Sequence, residues 1–187
     1  MAKKSIDQSE QISFKDFYRM IGALGMLLPV FIFLRLGGHF PPSISQSYYT
    51  DAREFFTITI GSLGLFFIAN KGYDTLDSIC NKIAGIVAII VPMFGCEGQY
   101  SWLHFTSAVI FFLVLAFMCL FVFTRGESGT PEKGLRNIVY INCGVIILLG
   151  MVLIAAIKNI ALGEIIMLEA FGFAYFVKGN TLFKDKS

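Results

Sequence analysis

Six apolar blocks dominate this chain, five of them of roughly the 17–25 residues a helix needs to cross about 30 Å of hydrocarbon, the third short for a span unless its flanks are included. They lie at about Met20–Leu36, Arg53–Asn70, Cys80–Phe94, Trp102–Thr124, Asn137–Ile157 and Ala161–Lys178. Turn-forming stretches separate them: "GGHFPPSISQSYYTD", "KGYDTLDS", "GCEGQYS", "RGESGTPEKGLR" and "KNIALG". No polar stretch is long enough to bury a core of its own. The expected fold class is an all-α membrane protein, a bundle of six transmembrane helices over 20–178, with tails at 1–19 and 179–187. Composition agrees: 56% of the 187 residues are hydrophobic and only 15% charged, against ~25% charged in a soluble domain.

Charge assigns the sides. The two tails, the second and fourth connections and the adjoining helix edges hold twelve of the fifteen Lys and Arg residues; Arg35, Arg53 and Lys158 fall on the other side. Cytoplasmic segments carry the excess of Lys and Arg, so both termini are expected in the cytoplasm, and an even number of spans agrees. A net charge of +2 makes no case for nucleic acid. The four cysteines lack C-x-x-C spacing and read as small buried apolar side chains rather than a disulfide framework. In the first tail, "SFKDFYRMI" puts Ser13 three residues before Asp16 in the manner of a capping box, with Phe14, Phe17, Tyr18 and Ile21 on one helical face. It is either a short helix on the membrane surface or an extension of the first span.

Small residues mark faces for close helix approach. They are Gly22 and Gly25 in the first span, Gly61 and Gly64 in the second, and Ala84, Gly85 and Ala88 in the third. Close packing is the simpler reading of these stripes, a pathway the other. "IFFLVLAFMCLFVF" in the fourth span is large and apolar all round, which suits a helix facing lipid.

Polar groups gather on the outer side. The first connection offers Ser43, Ser45, Gln46, Tyr48 and Tyr49, and the second span opens with Arg53 and Glu54. His104 opens the fourth span, and the last span carries Glu164 near its outer end and Glu169 roughly 7–8 Å deeper at 1.5 Å per residue. Ionisable groups are costly in a membrane and face a bundle interior or a cavity. The expected ligand-binding set is therefore Ser45, Tyr48, Arg53, Glu54, His104 and Glu169. Arg53 would pair with Glu169 or with Glu54, His104 would donate to a carboxylate or a ligand, and Ser45 and Tyr48 would act as a lid. Two distant histidines without H-x-x-x-H or H-E-x-x-H give no metal site, and no cofactor is expected. A Ser–His–Glu hydrolase built on Ser43 or Ser45 lacks a nucleophile motif such as G-x-S-x-G. On the cytoplasmic side, Asp77 or Ser78 is expected to start the third helix, and Tyr140 and Asn142 are placed to join a polar network.

"PSISQSYYT", "GYDTLD" with "NKIAG", "HFTSAVIFF" and "EAFGFAYFVKG" resemble an uncharacterised group of bacterial six-helix membrane proteins, a domain family of unknown function with a more distant similarity to DRAM/Frag/Sfk-type membrane proteins. The resemblance implies the six-helix fold and the bacterial inner membrane, and no activity.

Three functions follow as expectations. The first is a protein that binds a lipid or small ligand in an outer-facing intramembrane pocket. The second is a membrane-embedded hydrolase or transferase acting on lipid, with His104 and a carboxylate as acid and base. The third is a small oligomeric channel, which makes a homo-oligomer a candidate partner beside the membrane lipids.

Overall fold

The computed structural model describes residues 14–126 and 130–183. Six helices account for most of them: α1 Phe14–Arg35, α2 Arg53–Ala69, α3 Thr75–Met93, α4 Ser101–Phe117, α5 Pro131–Ile157 and α6 Ile160–Lys178. A 3-10 turn, Ser45–Tyr49, lies in the α1–α2 connection, and one turn of π-helix, Met118–Val122, extends α4. Five helices, counting α4 with its π turn, are long and apolar enough to cross a membrane. The exception, α2, has 17 residues.

Capping chemistry explains where the helices begin. The Asp74 side chain accepts from the Asp77 amide at 2.8 Å, so α3 starts at Thr75, five residues ahead of its apolar block, and Asp74 rather than Asp77 or Ser78 is the cap. The Thr130 hydroxyl accepts from the Lys133 amide at 3.2 Å, with Pro131 at the first helical position, where its missing N–H costs nothing. Asn159 does the same for α6, accepting from the Leu162 amide at 3.1 Å. Residues 14–19 continue α1; Ser13, the tail before it and residues 184–187 lie outside the described residues.

The helices form a ring in chain order. Each packs on its sequence neighbours, and α6 closes the ring against α1. Three of these contacts are glycine crossings. A Cβ on Gly22 of α1 would stand 2.6 Å from the Gly172 carbonyl oxygen of α6. One on Gly85 of α3 would stand 2.7 Å from the Gly64 oxygen of α2, and one on Gly163 of α6 3.1 Å from the Gly150 oxygen of α5. Such separations bring two backbones into van der Waals contact, which no larger residue permits. The packing reading of Gly22, Gly64 and Gly85 thus holds, whereas Gly61 meets nothing within 4 Å.

Aromatic rings fill the centre. Phe111 meets Phe67 and Phe171, Tyr175 meets Phe67, Phe171 and Phe123, and Tyr18 meets Tyr175 and Phe123, at centroid distances of 5.0–6.3 Å. These separations suit edge-to-face contact. The π turn contributes to this core: the Phe123 amide donates to Met118 across five residues at 2.8 Å, and Phe123 is fully buried. The fourth helix therefore does not simply face lipid. His104, Phe111, Leu115 and Met118 line a buried face along it. The most exposed of the five long helices is α5, 28% buried over its most apolar window against 44% for α4.

Candidate functional site

At the end of the bundle away from the start of α1 and the end of α6, the α1–α2 connection folds over the helix ends and is tied to α6. The Ala161 amide donates to the Pro42 carbonyl at 3.1 Å. Glu164, one turn into α6, accepts from the Ile44 amide at 2.6 Å and from the Ser45 hydroxyl at 2.8 Å. The same connection is tied to the α3–α4 connection, where the Glu97 amide donates to the Tyr49 hydroxyl at 3.0 Å.

Glu164 stands between two cavities. One, of about 40 Å³, lies among Ile44, Ser45, Phe56, Ile60, Val91 and Leu168. The other, of about 200 Å³, is a lateral groove lined by Phe105, Phe112, Met151, Ile154 and Met167. Both are almost wholly apolar apart from Ser45 and the carboxylate. Among the described residues Glu164 has neutral hydrogen-bond donors and no ion-pair partner. Burying an unpaired carboxylate is expensive, so two short bonds to neutral donors hold it at the head of a greasy slot.

The expected set of ligand residues divides. Ser45 is buried on Glu164. Tyr48 and Arg53 meet each other: the guanidinium lies 4.5 Å from the centre of the Tyr48 ring and donates to the Tyr48 hydroxyl at 3.1 Å. Arg53 and Glu54 are exposed, as befits the first turn of a helix in solvent. His104 is buried, and its Nδ1 lies 2.9 Å from the Val91 carbonyl and 3.0 Å from that of Phe94. Both partners are acceptors, so Nδ1 carries the proton. It satisfies carbonyls at the end of α3 that lack intrahelical donors. Glu169 makes no hydrogen bond or ion pair among the described residues. It lines a shallow cavity with Pro29, Phe33, Phe40 and Ile165, toward α1. Five residues separate it from Glu164, which is about 140° around a helix of 3.6 residues per turn, so the two glutamates serve different faces of α6.

In the sequence Glu164 is one polar residue among several on the outer side, and nothing there sets it at the centre. The 140° separation was readable from spacing. The return of Ile44 and Ser45 onto α6 was not, because nothing local specifies a contact across 120 residues.

The opposite end carries a second polar cluster. Asp77 is buried and accepts from the Tyr18 hydroxyl at 3.1 Å, the Tyr73 amide at 3.0 Å and the Asn81 side chain at 2.7 Å. Asn70 extends the chain to Asn81 at 3.2 Å. At the rim Asp74 pairs with Arg125 at 2.7 Å. The Asp77 N–H donated to Asp74, then the Arg125 guanidinium, hold the Asp74 carboxyl below its usual range. Tyr140 is buried against Phe123 in this region, whereas Asn142 is exposed. No protein-family model, curated protein or solved structure matches the chain.

Proposed function

We propose that this chain is a six-span integral membrane protein, both termini in the cytoplasm, that holds one lipid or small amphiphile in an outer-facing intramembrane pocket. The observation that carries the reading is Glu164, a carboxylate with neutral partners at the head of a lateral apolar groove. An acyl chain would fill the groove between Phe105, Phe112, Met151 and Met167. A head group bearing an amine or hydroxyl would donate to Glu164, and an amine would also neutralise it. The α1–α2 connection is the lid, through Ser45 and Ile44. The short α2, at 1.5 Å per residue, covers about 25 Å, the lower end of what a span requires. The charge asymmetry supports an outer position for Glu164.

Native mass spectrometry of gently purified protein tests the reading, comparing the parent with Glu164→Gln and Glu169→Gln. A bound amphiphile is expected in the parent and in Glu169→Gln, and is expected to be lost from folded Glu164→Gln. A bare parent, or equal retention in Glu164→Gln, overturns it.

An oligomeric channel is the second reading. The centre of one copy is packed with Phe67, Phe111, Phe123, Phe171 and Tyr175, so ions would have to pass between copies. Flux in liposomes with a dependence on oligomer content would favour it.

A further inference from the structure

At the end of the bundle where α1 begins and α6 ends, four cations line one cavity of about 170 Å³: Lys15, Lys133, Arg136 and Lys178. Tyr73, Tyr140 and Asn180 complete its polar wall, and no carboxylate is among its described lining residues. The side chains arrive from separate elements. Lys133, Arg136 and Tyr140 stand at spacings of three and four on α5, hence on one face of its first turns. Lys15 comes from the first turn of α1, Lys178 from the last turn of α6, and Tyr73 from the α2–α3 connection.

Three of the four cations are held in place. Lys133 Nζ donates to the carbonyls of Phe123 at 3.2 Å and Arg125 at 2.9 Å, and Arg136 donates to the Phe183 carbonyl at 2.5 Å. Lys178 Nζ sits 4.9 Å from the Tyr73 ring centre and 4.8 Å from that of Phe123. These aromatic faces support a cation but use none of its three N–H donors. Lys178 forms no hydrogen bond or ion pair among the described residues. Asp77, on the neighbouring wall, is already committed to Tyr18, Tyr73 and Asn81.

A second observation is independent of charge. Tyr140 is 2% exposed and lines the same cavity, yet its hydroxyl has no hydrogen-bond partner among the described residues. The hydroxyl is not among the fully buried polar atoms that lack a partner, so it opens onto the cavity. There it can donate to an acceptor that the four cations attract.

We propose that this cavity is a binding site for a phosphoryl group. A tetrahedral phosphate suits this lining, which sets arginine and lysine charge beside hydroxyl and amide groups around one cavity. The room equals several waters at about 30 Å³ each in the liquid. The same chemistry arrives either as the head group of an anionic phospholipid, since basic pockets between transmembrane helices take such head groups, or as a soluble phosphate compound. The site stands apart from the groove at Glu164 and does not depend on what that groove binds.

The test uses the full-length protein, freed of lipid. Thermal unfolding is measured with inorganic phosphate in micelles, and in nanodiscs of phosphatidylcholine with and without phosphatidylglycerol. The parent is expected to be stabilised, with Lys178→Gln or Arg136→Gln weakening the apparent affinity about tenfold, the scale of a lost charged hydrogen bond. Stabilisation by inorganic phosphate identifies a soluble compound as a ligand. Stabilisation by phosphatidylglycerol alone identifies the lipid head group. Tyr140→Phe keeps the ring packing on Phe123 and removes only the hydroxyl, so it tests the site if the charge variants misfold; it too is expected to weaken binding. Glu164→Gln is expected to leave the effect intact. No response of the parent to either anion, or equal responses in Lys178→Gln, Arg136→Gln and Tyr140→Phe, overturns the proposal.

Discussion

Asp77 and Glu164 are carboxylates taken out of water by different means. Asp77 has three donors from three parts of the chain, a hydroxyl, an amide and a carboxamide. Glu164 has two, from adjacent residues of one connection, and an apolar cavity on either side. The first arrangement ties three parts of the chain together; the second leaves more acceptor capacity facing a cavity. Asp77→Ala is accordingly expected to cost about 3 kcal/mol or more, because it strands several buried donors, read as a lowered unfolding midpoint in detergent. At the rim, Asp74 gives a pH signature. Its folded pKa is depressed, so its contribution to stability is complete above the unfolded carboxylate value, near pH 4, and is lost as pH falls through the lower folded value. The stability gap between parent and Asp74→Asn is expected at pH 7 and should vanish in acid. A gap that persists well below pH 3 would contradict the assignment.

At the scale of the elements, backbone contact decides what may be substituted. Gly64→Leu is expected to cost about 1–3 kcal/mol by overpacking, because its Cβ would meet the Gly85 oxygen at 2.9 Å. Gly61→Leu, one turn away in open space, should be nearly neutral, and equal effects would mean that the α2–α3 crossing is misplaced. Helix existence was legible from apolar block length, because hydrocarbon thickness sets that length. Helix starts were less legible. Polar first turns such as "TLDSI" and "PEKGLR" belong to α3 and α5 by virtue of their caps, and apolarity alone omits them. The π turn could not be read at all, since "MCLFV" is as compatible with α-helix. Only the packing of Phe123 against Tyr18, Tyr140 and Tyr175 shows what the extra residue accomplishes.

The whole molecule can be tested for side with its own chemistry. Cys80, Cys119 and Cys143 are buried, and Cys96 is half-buried in the α3–α4 connection. Burial, then Glu97 beside it, raises the Cys96 thiol above its ordinary value. A membrane-impermeant maleimide added to intact cells is expected to label Cys96 alone, slowly at neutral pH and faster at pH 9 as the thiolate forms. Labelling only after the membrane is opened would reverse the proposed orientation.

Residue pattern is enough to establish that the chain is helical and apolar over membrane-length blocks, and which ends carry the positive charge. Those properties come from side-chain composition and a fixed rise per residue, so they need no knowledge of neighbours. Helix packing sets which glutamate meets a groove, that His104 bonds the carbonyls at the end of α3, and that Lys178, Arg136 and Tyr140 surround one cavity. Each of these depends on residues brought together from different helices. Ring closure of α6 on α1 and the return of the α1–α2 connection onto α6 make those meetings, and no local pattern encodes them.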